Sequence, residues 1–228
     1  MFYFHGVRKP DFTRMKKMDY DEYWRQRGFT MRNKLFEREQ IFFDWIPQGS
    51  KVLDIGVGTS RLLVELKNRK QCTCHAMDVS PLVIEALQKE GIKGWTADLE
   101  DKNFTLPEQY DYIVLSEVVE HLREPEELLE KLSRSTKYFI ISIPNSAFYR
   151  YRLSLLFHGR FFTQWECHPS EHLRYWSHTD FVAWLAALGL PLEKTEASNG
   201  LDLGPLKLYR PFPNLFGHQI CYLIKTKK

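Results

Sequence analysis

Three acidic residues and two glycines carry the most chemical information in this chain. Asp54, Gly56 and Gly58 fall within VLDIGVGTS (residues 52–60), Asp78 within AMDVS and Asp98 within TADLED. The glycines follow an apolar run, where a strand would bend into a helix. Lacking a Cβ, they let a ligand come close to the backbone amides at the helix start. The same pair would also serve an ordinary tight strand-to-helix turn. A dinucleotide fingerprint needs a third glycine where this chain has Arg61. A carboxylate just ahead of the turn, at Asp54, repels a pyrophosphate and suits a cationic amino-acid group. Asp78, followed by Val79, can accept hydrogen bonds from two ribose hydroxyls. Asp98 can bond an adenine amino group while Leu99 meets the ring. Any one of these carboxylates could instead cap the following helix. Their recurrence at the ends of three successive strand-like runs favours a ligand, because open α/β sheets bind ligands at the carboxyl ends of their strands.

A second constellation is Glu117, Glu120 and His121 in SEVVEHL, with His172 in EHLRYW. If SEVVEHL is helical, Glu117 and His121 lie one turn apart and share a face. Two carboxylates and two imidazoles can hold a divalent cation. The plainer reading, a hydrogen-bonded acidic helix start with His121 packed beside a ligand pocket, is favoured, so no residue is assigned to a metal. His121 or His172 is alternatively a general base for an acceptor hydroxyl.

The elements that must position these residues alternate between short β-like runs and helical patterns, which predicts a mostly parallel sheet with crossover helices. In order, the strands are KVLDI, CTCHAMD, IKGWTA, YDYIVLS and KYFIISIP, the last broken by Pro144. SRLLVELKNR, PLVIEALQKEG and the stretch 125–132 have helical spacing between them. RNKLFEREQIFFDWI reads as a helix covering the sheet ahead of the first strand. After HTDFVAWLAALGL, stopped by Gly189, come two last β-like runs, PLEKTEA and HQICYLIKTK. The expectation is one α/β domain over residues 1–228, with seven strands and helices on both faces. Residues 1–30 read as a loose basic arm, with Met15 and Met18 as alternative starts. Residues 145–177 read as an aromatic, basic insertion without regular elements.

That insertion carries Arg150, Arg152, Arg160, His168 and Arg174 among Tyr149, Tyr151, Phe161, Phe162, Trp165, Tyr175 and Trp176. It can pack as a subdomain, close as a lid that recognises an anionic or aromatic acceptor, or stack on single-stranded nucleic acid. RYRLSLLFHGRF can also lie on a membrane surface.

Composition narrows the partners. The 32 basic and 29 acidic residues leave a net charge of +3, too balanced to demand nucleic acid. No run of about 18 apolar residues is present to span a membrane, and the N-terminus lacks a secretory pattern. The four cysteines have no paired spacing, which fits a reducing cytoplasm better than zinc or a disulfide.

VLDIGVGTS, AMDVS, TADLED and YDYIVLSEVVEHL together resemble the successive cofactor motifs of the class I S-adenosylmethionine-dependent methyltransferases, over residues 51–144. The resemblance implies a Rossmann-like fold ending in an antiparallel strand. It places the methionine portion of S-adenosylmethionine (product S-adenosylhomocysteine) at the glycine turn, the ribose at Asp78 and the adenine at Asp98. Leu115 and Ser116 would line the pocket, and EYWRQRG with Arg38 would close over it. Ser60 departs from the family, many members of which have glycine there. The implied reaction is attack of an acceptor oxygen, nitrogen or carbon, most simply of a small molecule, on the sulfonium methyl. Related E-x-x-E-H patterns with a later histidine bind a divalent metal in small-RNA 3′-terminal methyltransferases and in some ubiquinone-pathway O-methyltransferases. Further along, SIPNSAFYRYRLSLLFHGRF and RPFPNLFGHQICYLI are similar to the methionine-biosynthesis family MetW. That similarity implies a competing role: a non-catalytic, methyltransferase-like partner of a metabolic acyltransferase. A third role, nicotinamide-dependent oxidoreductase, is weakened by Arg61.

Overall fold

The computed structural model describes residues 19–101, 103–106, 108–159 and 172–226. Its elements run α1 (Tyr20–Gln26), α2 (Glu37–Trp45), β1 (Lys51–Ile55), α3 (Leu62–Lys70), β2 (Thr73–Asp78), α4 (Pro81–Lys89), β3 (Lys93–Thr96) and β4 (Tyr110–Ser116). A one-turn 3-10 helix (Val119–His121) leads to α5 (Pro125–Ser133), β5 (Thr136–Pro144), α6 (Tyr149–His158) and α7 (His178–Ala187). Then come β6 (Leu192–Gly200), a small hairpin of β7 (Asp202–Leu203) and β8 (Leu206–Lys207), α8 (Pro213–Phe216) and β9 (Gly217–Lys225).

The main sheet has seven strands in the order β3-β2-β1-β4-β5-β9-β6. Pairings among β3, β2, β1, β4 and β5 are parallel, whereas β9 runs antiparallel to both β5 and β6. This is the mostly parallel sheet expected from the alternation of strand and helix patterns, in the Rossmann-like form that the resemblance implied. Because both faces are covered, the central strands are apolar nearly throughout. Alternate residues serve opposite cores: Leu53, Ile55, Ile113 and Leu115 pack against α5 and α7, while Val52, Tyr112 and Val114 pack against α2, α3 and α4. Asp54, at the next position on the α2 side, interrupts that second core with a carboxylate.

Three expectations need correction. The stretch after β5 is not devoid of regular elements, because Tyr149–His158 forms α6, none of whose residues is buried. With no buried face, it shows no apolar period from which a helix could be read. Part of the presumed loose arm is also helical: Asp19 caps α1, its carboxylate accepting from the N–H groups of Asp21 (2.9 Å) and Glu22 (3.1 Å). Finally, SEVVEHL is a bend and a single 3-10 turn rather than an α-helix. Residues 1–18 of the arm, and Arg160, Phe161, Phe162, Trp165, Cys167 and His168 of the insertion, lie outside the described residues.

Asn145 ties the end of β5 to the chain entering β9. Fully buried, its Nδ2 donates to the carbonyls of Pro213 (3.2 Å), Asn214 (3.1 Å) and Gly217 (2.8 Å). Its Oδ1 accepts from the N–H groups of Ala147 (3.1 Å) and His178 (3.2 Å). Removing such a hub strands several buried backbone groups. Asn145→Ala should therefore lower unfolding free energy by about 2–3 kcal/mol. The loss should be read as a lower urea midpoint at unchanged slope, and an unaltered midpoint would contradict the role given to this side chain.

Candidate functional site

The strand order β3-β2-β1-β4 sets the site along the carboxyl edge of the sheet. It brings the segments holding Asp98, Asp78, Gly56 and His121 to that edge in that spatial sequence. There they line one cavity of about 720 Å³, together with Asp54, Gly58, Val79, Leu99, Ser116, Glu117 and His172. Leu115 is placed differently: its side chain is fully buried in the α5–α7 core and does not line this cavity.

The bend after β1 explains its glycines. Gly56 has φ +70° and Gly58 φ +55°. A Cβ on Gly56 would stand 2.6 Å from Val118 Cγ2, and one on Gly58 would stand 3.0 Å from the Trp24 ring. The positive φ disfavours side chains at both positions, and the space at Gly56 leaves no room for one unless Val118 shifts. Ser60, where a third glycine was the family pattern, is buried and its hydroxyl accepts from Leu62 N–H at 3.2 Å, starting α3. Arg61 turns away to Glu90 (3.1 Å) and Glu65 (3.7 Å).

Asp78 fixes the bend from the neighbouring strand. Its carboxylate accepts from Gly58 N–H (3.0 Å) and Ser80 N–H (2.9 Å). Burial pushes its pKa up, and these backbone bonds oppose the rise. A carboxylate offers about four lone-pair sites, so some acceptor capacity remains beyond these bonds. Asp98 makes the same kind of local turn, accepting from Glu100 N–H at 2.9 Å.

Asp54 is the electrostatic anomaly. It is 1% exposed, yet Oδ1 has no hydrogen-bond partner. Desolvation, then the nearby Glu39 and Asp78 carboxylates, raise its pKa well above the ordinary range, against the pull of Arg38 and Arg32. Glu39 itself accepts from Phe36 N–H (2.9 Å) and pairs with Arg32, which donates through Nε to the Thr59 carbonyl (3.0 Å). Arg38 reaches Ser116 Oγ at 3.1 Å and Gln219 Oε1 at 3.3 Å. Trp24 and Arg25 of EYWRQRG, and Arg38, line the cavity. Arg32, Glu39 and Gln219 were not legible, because their roles rest on partners distant in the chain. Only the F-E-R-E spacing at the start of α2 hinted at Glu39, as a helix-start carboxylate.

At the far end, Glu117 and His121 do not form a helical pair. Glu117 adopts φ +57°, unusual for a residue with a side chain, and its Oε2 accepts from Gln219 Nε2 at 3.1 Å. The residue facing the histidines is Glu120 instead. Ligand atoms of Glu120, His121 and His172 lie within 4.8 Å of one another, and the two imidazoles meet edge to face at 4.7 Å. Burial, then the neighbouring His121, depress the His172 pKa to about 3.

A seven-stranded sheet of this order, with a carboxylate-lined cavity at the carboxyl edge of its parallel strands, defines the chain as a class I, Rossmann-like methyltransferase fold. Solved structures agree. The chain superposes on a TehB-like SAM-dependent methyltransferase from Corynebacterium glutamicum with a TM-score of 0.57 at 18% identity, covering 91% of this chain and 96% of that one. It also superposes on the 1,6-didemethyltoxoflavin-N1-methyltransferase of Burkholderia thailandensis, solved with S-adenosylhomocysteine bound, with a TM-score of 0.57 at 12% identity, covering 84% and 77%. More particularly, the chain belongs to the family of the methionine biosynthesis protein MetW, whose model matches residues 37–224. A curated relative, the bifunctional methionine biosynthesis protein MetXA/MetW of Rhodopirellula baltica, is 30% identical over 131 residues. That match takes in 54% of this chain and only 21% of the relative, so the chain spans about a fifth of that protein.

The bend yields a direct test. Gly56→Ala should cost at least ~1–2 kcal/mol from the left-handed backbone alone, with the Val118 contact adding to it. Thermal unfolding should move down accordingly; an unshifted transition would contradict the geometry of the turn.

Proposed function

We propose that the cavity binds S-adenosylmethionine and that the protein transfers its methyl group to a small-molecule acceptor. The observation that carries this reading is the buried, unpartnered carboxylate oxygen of Asp54 beside the glycine bend. A lone carboxylate in that position is matched by an α-ammonium group, and the left-handed glycines leave room for the methionine portion. Asp78 would take the ribose hydroxyls on its remaining lone pairs, with Val79 beside it. Asp98 and Leu99 would hold the adenine, and Ser116 would bound the pocket on the β4 side. Leu115 would act from beneath, as packing. Bound there, the cofactor supplies an electrophilic sulfonium methyl that needs no enzymic nucleophile.

The chain's own contribution is alignment and exclusion of water, worth roughly 7–11 kcal/mol when geometry is right. The catalytic assignment falls on His121 and His172, at the acceptor end. A ring held neutral to about pH 3 has too little proton affinity to act as an effective base near neutrality. His172 therefore accepts a hydrogen bond from the acceptor and orients it.

A second reading, in which the protein supports a metabolic acyltransferase without transferring a methyl itself, is favoured by the bifunctional composition of the MetXA/MetW relative. No described helix is long and apolar enough to cross a bilayer.

Calorimetry with S-adenosylhomocysteine, which keeps the ammonium and both ribose hydroxyls, tests the cofactor assignment. Wild-type protein should bind it, and Asp78→Ala should weaken binding about 10- to 100-fold through lost charge-assisted bonds. Gly56→Val, by filling the bend, should do the same. Failure of folded wild-type protein to take up the compound would end the proposal.

The raised Asp54 pKa gives a signed pH effect. The free protein holds a proton on Asp54 to higher pH than an ordinary carboxyl, and a bound ammonium favours the ionised form. Binding should therefore release a proton and tighten as pH rises toward that shifted pKa. Titration in buffers of different ionisation enthalpy reads the release. Asp54→Asn should abolish both the release and the slope; a slope that survives would exclude Asp54 as its source.

A further inference from the structure

We infer that Glu120, His121 and His172 form a binding site for one divalent transition-metal ion at the acceptor end of the cavity. Glu120 is 1% exposed, and neither of its carboxylate oxygens has a hydrogen-bond partner. His172 Nδ1 is likewise buried without one. Three such atoms in one place are costly, since each unpaired buried polar group loses about 1–3 kcal/mol and a charge loses more. Their convergence needs a shared partner.

The geometry suits a cation. One ligand atom from each of the three residues falls within 4.8 Å of the others. Two donors about 2.1 Å from a common ion lie at most about 4.2 Å apart, so closing on it takes roughly half an ångström of side-chain adjustment. A histidine ring nitrogen binds a metal ion through its unprotonated lone pair. The neighbouring Glu117 keeps an unpartnered buried oxygen of its own, which leaves the local charge balance short of a cation. A divalent ion would complete that balance.

The donor set names the class of ion. Two imidazoles and one carboxylate suit zinc, iron, cobalt or manganese rather than calcium or magnesium, which prefer all-oxygen shells. Three protein ligands leave coordination positions open, and His121 and His172 both line the cavity. Those positions would take an oxygen or nitrogen of the methyl acceptor, so the ion would orient it in place of a direct hydrogen bond. That role rests on the cofactor reading above; binding of the ion does not.

The test uses full-length, untagged protein stripped with a chelator and titrated with Co²⁺ by visible absorption and with Zn²⁺ by calorimetry. S-adenosylhomocysteine binding is measured on the same metal-free sample. One ion per chain is expected, with visible cobalt bands of nitrogen–oxygen coordination. Glu120→Gln and His172→Ala should each weaken uptake by about tenfold or more, with circular dichroism confirming the fold. Glu120→Gln keeps the shape of the side chain, so folding should survive. Metal-free protein that binds S-adenosylhomocysteine but neither ion near one equivalent would overturn the site and leave the cofactor reading intact. Uptake of one ion, lost in the variants but without any S-adenosylhomocysteine binding, would support the site and overturn the cofactor reading. Uptake unchanged in both variants would overturn the site.

Discussion

Negative charge held out of water is the constraint around which this molecule is arranged. Asp54, Glu39 and Glu120 are each 1% exposed and Asp78 is 6% exposed, all at or near one edge of the sheet. Opposite them stand Arg32 and Arg38. Taking a carboxylate out of water costs several kcal/mol unless a partner compensates it, and the upward pKa shifts of Asp54 and Glu120 express that deficit. A fold selected for stability alone would replace such groups with neutral isosteres, often at a gain. Such a concentration of buried carboxylates at one edge of the sheet suits a positively charged ligand there.

The rest of the architecture serves that edge. Parallel strands deliver their ends to one side, and strand order spreads the carboxylates in a line rather than a cluster. The covering layer comes from before the sheet in sequence: α1 brings Trp24 against Gly58, and Asp21 of the same helix accepts from Ser80 Oγ just past β2. Arg38 then bridges from α2 to Ser116 and Gln219, joining the first helices to β4 and β9. Through these contacts, groups from opposite ends of the chain share in organising one cavity.

Much of this could be read from the residues. KVLDI and YDYIVLS match β1 and β4 to the residue, because apolar strands bounded by charge and glycine leave little choice of limits. The carboxylates after β1, β2 and β3 were legible for the same reason: polar residues directly ending apolar runs fall at the sheet edge. What stayed hidden depends on tertiary contact. Glu120 rather than Glu117 meets the histidines because the backbone bends at Glu117, and nothing in SEVVEHL announces a left-handed residue there. The α6 helix was invisible because Leu155, Leu156 and Phe157 are exposed and give no periodic face. Gln219, on β9, is 102 residues from its partner Glu117.

The two functional readings make different demands on this edge. A protein that only steadies an acyltransferase needs a surface, and the cost of Asp54 and Glu120 inside the cavity would serve nothing. A protein whose partner contact depends on a bound cofactor would need Asp54, Asp78 and the glycine bend, but not the acceptor end. Under the proposed function, methyl transfer would use the whole line, with ribose and ammonium at one end and an oriented acceptor at the other. The unsatisfied carboxylate of Glu120, beside two histidines and away from the bend, is the feature that the partner reading leaves without a use.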